Sequence, residues 1–431
     1  MSGPLRKPDL PPPRVHTLAN GVRVVCDPIP GLETVALSVV AGRGARHEDA
    51  ARSGWSHLLE HMVFKGAGGR SAREIVEVIE AQGGQINAAT GYERTSYQVR
   101  ALEGGLDLGM AVVADLVLRP TMDAADLVRE KQVVGQEIAE AADTPDDLVF
   151  EMAQEAAFAD HPLGRPILGT VESIGVAEPA TLEAWRAAIY APDALVISAA
   201  GAVDEAELLA LAERDFGHAA PGPGAPAAPP VRFQGGVRAQ AKSLEQANLV
   251  FLLPAVGVTD PAYYSLRLFA EILGGGMASR LFQEARERRG LAYAVDAYSD
   301  TYADGGVLGV FAGCAAKDAA ELARVAAGEI AGLAGSVGEA ELARAKAQLK
   351  GSMFMGRESP ASRAEQAAGQ VLLFGRALAA RELAERIDAV EPADLAQLSD
   401  TLLAGSASAA AVLGPRSSLK AADAFQRALF A

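Results

Sequence analysis

The stretch Trp55-Ser-His-Leu-Leu-Glu-His-Met-Val-Phe-Lys65 sets His57 and His61 four residues apart with Glu60 between them. It holds no Gly or Pro, and Leu58, Leu59, Met62 and Val63 give it apolar filling, so the pattern predicts a helix over about 54–65. Positions i, i+3 and i+4 of a helix share one face, which aims both imidazoles and the carboxylate into one small volume. A single helical histidine is more often packed or solvated than metal-bound. The inserted acid shifts that balance.

Zinc catalysis needs two or three protein ligands, an open position for water and a nearby base. His-x-x-Glu-His supplies two nitrogens and a base, and this order, the inverse of the zincin motif, is a metallopeptidase signature. A third ligand is missing from the stretch itself.

Working outward, Val15 to Pro28 and Thr34 to Arg43 read as strands with a turn at Asn20-Gly21. Ser71 and Glu74 have capping-box spacing and open a helix that runs to Gly83-Gly84. Strands are expected over Gln85 to Leu102, a helix over Gly104 to Val117, and a long helix over about Asp123 to Ala142. Within that long helix Glu130 and Glu137 are two turns apart and share a face. On spacing alone Glu140 and Glu151 compete with them.

The proline- and glycine-rich segment from His218 to Gly236 reads as a linker, dividing the chain into residues 1–217, 218–236 and 237–431. The outer parts look like an internal repeat. Ala125 to Lys131 echoes Ala340 to Lys346, and Glu178-Pro179-Ala180 echoes Glu391-Pro392-Ala393, at offsets of 215 and 213. The helix Ser279 to Arg289, followed by a strand Leu291 to Tyr298, parallels the helix ending at Gly83-Gly84. Each half is therefore expected to be the same α+β unit, an antiparallel sheet with helices packed on one face. At the 215 offset Glu130 falls on Ala345 and Glu137 on Ser352, and no histidine follows His218. Only the first half can carry a histidine-based metal site; His16, His47, His161 and His218 sit in loop, turn or strand-end contexts.

The chain has 431 residues, half of them hydrophobic, and a net charge of −16. That balance argues against a nucleic-acid partner and favours basic partners if charge steers association. Cys26 and Cys314 lie in separate apolar runs and read as buried thiols, fitting a reducing compartment. Met1 to Pro13 lacks the apolar core of a secretory signal and reads as an irregular arm. No window approaches the roughly 18 apolar residues of a membrane span. A soluble, cytoplasmic protein without membrane contact is expected.

The segments Gly54 to Gly66, Asn87-Ala88-Ala89-Thr90, Glu93-Arg94-Thr95, Glu130 and Glu137 together resemble the pitrilysin-type zinc peptidases, the inverzincins, and within them the mitochondrial processing peptidase-like branch. The likeness runs from about Val15 to the end. It implies one zinc ion per chain held by His57, His61 and Glu137, with Glu137 placed 76 residues after His61 as in the family. It implies Glu60 as the base, Glu130 as a carboxylate orienting a ligand histidine, and Asn87 and Ala88 on a strand that pairs with substrate. Arg286 and Tyr293 resemble the family's substrate-contacting Arg and Tyr, suited to an oxyanion and the scissile carbonyl. The implied activity is endopeptidase cleavage of extended, unstructured, presequence-like basic peptides. The implied assembly is a homodimer enclosing a chamber, with Arg286 and Tyr293 acting in trans. The alternative is a catalytically inactive structural or partner subunit on the same fold.

Overall fold

The computed structural model describes residues 12–333 and 335–430. The sequence-based expectation for the arm at Met1 to Pro13 lies almost wholly outside them. In the first half the strands are β1 (Arg14–Thr17), β2 (Arg23–Pro28), β3 (Thr34–Ala41), β4 (Gly66–Ala67), β5 (Arg70–Ser71), β6 (Gln85–Thr90), β7 (Thr95–Leu102) and β8 (Leu195–Gly201). The helices are α1 (Trp55–Val63), α2 (Ala72–Glu80), α3 (Leu106–Leu118), α4 (Ala124–Asp143), α5 (Pro145–Ala157), α6 (Val171–Gly175), α7 (Pro179–Ile189) and α8 (Glu205–Phe216). No helix or strand lies between Phe216 and Gly236. The second half adds strands β9 (Gly236–Ala241), β10 (Ala247–Ala255), β11 (Ala292–Thr301), β12 (Gly306–Cys314) and β13 (Ala409–Gly414). Its helices are α9 (Tyr263–Gly274), α10 (Ala319–Leu333), α11 (Glu339–Gly356), α12 (Pro360–Phe374), α13 (Ala380–Asp388), α14 (Pro392–Leu403) and α15 (Ala421–Leu429).

The two sheets repeat one topology. The first runs β1-β2-β8-β3-β7-β6 and the second, read from its opposite edge, β9-β13-β10-β12-β11. Apart from the extra β1, each position has its counterpart. Pairing is antiparallel except for one parallel pair in each sheet, β2 with β8 and β9 with β13. A parallel neighbour needs a long crossover, and β8 and β13 each return after a run of helices. Each half's own helices bury one face of its sheet: Leu58, Leu59, Met110, Val113 and Trp185 pack against Leu37, Val39 and Ile197 in the first. Leu266, Phe269 and Leu322 pack against Leu249, Phe251 and Val310 in the second.

The opposite faces are covered by exchange. Met152, Ala153 and Ala156 of α5 pack on Val250, Leu252, Ala409 and Ala411 of the second sheet. Ala367, Ala368 and Val371 of α12 pack on Val25, Val40 and Val196 of the first. The small alanines let helix and sheet approach closely. Thr144-Pro145 and Ser359-Pro360 begin the two helices in the same way, 215 positions apart, each with Pro in the first turn. On the first sheet the contact is pinned by Arg363, whose Nε donates to Asp27 Oδ2 at 2.7 Å with both residues buried. Periodicity within one half cannot show this exchange, because the burying partner belongs to the other half.

The expected helix Ser279 to Arg289 forms from Arg280 and takes π-type turns over Phe282–Arg288. Such turns are rare and recur at functional sites. Among the described residues, no helix is long and apolar enough to cross a membrane.

Candidate functional site

The motif helix α1 starts at Gly54, whose φ of 86° is the left-handed conformation only glycine adopts cheaply. A Cβ there would lie 2.5 Å from Leu168 O. Gly54 has no side chain to cap the helix, and the buried Glu48 supplies the missing acceptor. Its Oε2 accepts from Gly54 N–H at 2.8 Å and its Oε1 from Ser56 N–H at 2.6 Å. Burial raises the Glu48 carboxyl to about 7 against the opposing pull of the two amides and Arg165. Trp55 Nε1 donates to Ser173 O and Trp185 Nε1 to Ser56 Oγ, so the helix is tied to α6 and α7 before its polar face begins.

That polar face meets α4. The His57 and His61 rings lie 4.7 Å apart between centroids. Their Nε2 atoms are 3.8 and 3.5 Å from Glu137 Oε2. One ligand atom from each of His57, His61 and Glu137 fits within a mutual distance of 4.8 Å. Glu137 Oε2 is buried and accepts no hydrogen bond, and His57 Nδ1 is likewise unpartnered. A buried carboxylate oxygen facing two imidazole nitrogens and lacking a donor is the environment a divalent cation completes. The residues fit a zinc ion.

The neighbouring groups tune the cluster. His61 Nδ1–H donates to Glu130 Oε2 at 3.1 Å, which turns the Nε2 lone pair toward Glu137. Lys65 Nζ lies 2.8 Å from Glu130 Oε1 and balances this buried acid. Burial, then the neighbouring His61, pushes His57 down to about 4, keeping its ring neutral and able to ligate at ordinary pH. Glu60 is raised from its ordinary value chiefly by burial, with Glu137 adding to the rise, while Thr90 and His61 oppose it. Thr90 Oγ1 donates to Glu60 Oε2 at 2.6 Å.

The structure thus brings His57, Glu60, His61, Glu130 and Glu137 together. Asn87 and Ala88 lie on β6, the edge strand of the first sheet, within one strand of Thr90. Arg286 is exposed, its guanidinium 4.8 Å above the Phe282 ring. Tyr293 is the extra residue of a bulge between Ala292 and Ala294, which turns its side chain out; it is 61% exposed. No hydrogen bond, ion pair or ring contact among the described residues joins either one to the His57–Glu137 cluster. Glu140 and Glu151, which competed on spacing, are not in the cluster. Sequence reasoning gave no role to Glu48 or Lys65 and set Thr90 only on the substrate-pairing strand segment, not against Glu60. An acid shortly upstream of a helix whose cap position is glycine was the available signal for Glu48. Thr90 reaches Glu60 only through the fold.

With the geometry in place, comparison with known proteins decides the family. Residues 23–171 match Insulinase (Peptidase family M16), and residues 178–349 match the Peptidase M16 inactive domain. The chain belongs to peptidase family M16. It is 35% identical over 402 residues to an uncharacterized zinc protease of Rickettsia bellii, covering 93% of this chain and 97% of that one. It is 36% identical over 377 residues to the uncharacterized zinc protease YmxG of Bacillus subtilis, covering 87% and 92%. Its fold matches the crystal structure of a protease from Helicobacter pylori with a TM-score of 0.85 at 20% identity, covering 94% and 100%. M16 relatives named as zinc proteases agree with the His-His-Glu cluster and do not favour the inactive alternative.

Proposed function

We propose that this M16 protein is a zinc-dependent endopeptidase acting on extended, unstructured peptides, with His57, His61 and Glu137 holding one zinc ion per chain. The observation that carries the reading is the convergence of two imidazoles on a buried, donorless Glu137 oxygen beside a restrained Glu60. Zinc, when bound there, supplies Lewis acidity for peptide hydrolysis. Glu60 is the proton carrier: Thr90 occupies Oε2, leaving Oε1 to take a proton from water and return it to the leaving amine. Its burial favours the protonated state that the second transfer needs. Glu130 holds His61 in the ligating tautomer.

Substrate pairs with the free edge of β6 at Asn87 and Ala88, a mode that reads extension more than sequence. A basic preference is supported by acids around an aromatic patch. Phe150 lies 5.7 Å from Tyr298 and 5.4 Å from Phe311 between ring centroids. Asp296 and Asp300 flank Tyr298 on its strand, and Asp147 and Glu151 neighbour Phe150 on α5. Arg286 and Tyr293, exposed and apart from the cluster of their own chain, complete the partner's site in a homodimer enclosing a chamber.

The test is cleavage of a quenched, unstructured basic peptide by the metal-loaded protein, its chelated form and Glu60→Gln. Cleavage at internal bonds that is lost on chelation, restored by zinc and abolished in a Glu60→Gln protein that still binds zinc supports the reading. Zinc-free protein with no chelator-sensitive cleavage sinks it.

A further inference from the structure

The second half keeps a cavity where the first half has its cluster. Matching the buried positions Leu58, Leu59, Met62 and Val63 of α1 to Leu268, Phe269, Ile272 and Leu273 of α9 sets Arg267 in the place of His57. Ser352 stands where Glu137 does. Both line a cavity of about 1100 Å³ bounded by α9, α11, α12, α13 and α14, with Arg94 reaching in from the first half.

The walls present donors with few acceptors. Arg267 Nη1 donates only to Tyr263 Oη at 3.0 Å, and no carboxylate among the described residues lies within ion-pair distance of its guanidinium. Arg94 rests on Gly369, where a Cβ would come within 2.8 Å of its Nη1, and its nearest acid, Glu365, is 3.9 Å away. Gln370 is 9% exposed; its Oε1 is taken by Leu378 N–H at 2.8 Å, while its Nε2 has no acceptor among the described residues. Gln366 repeats the pattern, its Oε1 held by Arg357 and its Nε2 without an acceptor. The cavity's acids, Asp260 and Asp394, are turned to backbone amides of Ala262 and Glu391. The floor is apolar, with Leu373, Phe374 and Leu383 among its residues.

We infer that this cavity binds the C-terminal end of an apolar peptide, with the carboxylate on Arg267 and Arg94 and backbone carbonyls on the Gln366 and Gln370 amides. The two amide nitrogens open onto the cavity, and a peptide carbonyl there would exchange their water for a direct acceptor, a net gain of about 1 kcal/mol each. An alkyl carboxylate would satisfy the guanidinium and the floor but would offer the two amide donors no acceptor in place of water. The site is separate from the zinc cluster, and the inference does not depend on the peptidase reading.

The test is calorimetric titration of the Glu60→Gln protein, which spares the probe, with an N-acetylated apolar hexapeptide, its C-terminal amide and decanoate. Expected is saturable binding of the free acid, weakened roughly tenfold by amidation and by Arg267→Gln, the worth of one charge-assisted hydrogen bond. Ser352 is exposed on the cavity wall, so Ser352→Trp narrows the cavity without disturbing the core, and it should weaken binding at least tenfold while melting at the parent temperature. The inference is overturned if acid and amide bind alike, if both variants bind as the parent does, or if decanoate displaces the peptide with equal affinity.

Discussion

Thr90 Oγ1 donates to Glu60 Oε2 at 2.6 Å, joining the last residue of β6 to the acid that lies between the two motif histidines. The bond leaves the other carboxylate oxygen for the proposed proton transfer and restrains the direction in which it points. Thr90→Val keeps the shape and removes the donor. Turnover should fall by about 10- to 100-fold, as when an orienting partner is lost, with zinc content unchanged. Steady-state kinetics with metal analysis checks this, and wild-type kcat in the variant would refute it.

Glu130 accepts from the ring of His61, one of the three residues proposed to hold zinc. Glu130→Gln lets the imidazole choose its tautomer and leaves Lys65 beside a neutral amide. Zinc affinity should weaken by about 10- to 100-fold. Competition against a chromogenic chelator measures it, and an unaltered affinity would confine Glu130 to packing.

Glu48 makes stability depend on pH. Its folded value near 7 lies above the ordinary 4.5, so between them the folded chain binds more protons than the unfolded one. Its contribution is therefore fully present below the unfolded value and is lost as pH rises through about 7. Glu48→Gln cannot titrate and should show a shallower decline over that window, at a cost of about 1 kcal/mol for one lost cap bond. Urea denaturation at a series of pH values decides; parallel curves for the two proteins would remove Glu48 as the cause.

Arg363 and Asp27 join the exchanged helix α12 to β2. Arg363→Met strands a buried carboxylate and should cost about 3–5 kcal/mol, whereas Asp27→Leu with Arg363→Met should recover most of that loss. Chemical denaturation of the two variants checks it. Equal losses would show that the pair's geometry, rather than its charge, is what the fold requires.

The cluster was legible to different depths. His57, Glu60 and His61 lie within one turn of a helix, and helical periodicity fixes their relative direction whatever else the chain does. Glu137 shared a face with Glu130, but spacing alone left Glu140 and Glu151 as rivals until the family resemblance entered. The repeat was readable because two related halves retain echoes at nearly constant offsets. The identical strand orders β2-β8-β3-β7-β6 and β9-β13-β10-β12-β11 bear it out.

The amino-acid sequence by itself determined the local chemistry: a motif helix, its ligand types and a second half without histidine. Tertiary structure alone decided which distant groups serve them. Thr90 comes to Glu60 through strand placement, Glu48 to the glycine cap of α1 through a folded-back loop, and α5 and α12 to each other's sheets through the pseudo-symmetry of the halves. Each of these contacts joins groups whose separation along the chain carries no periodic signal, so only the packed chain could assign them.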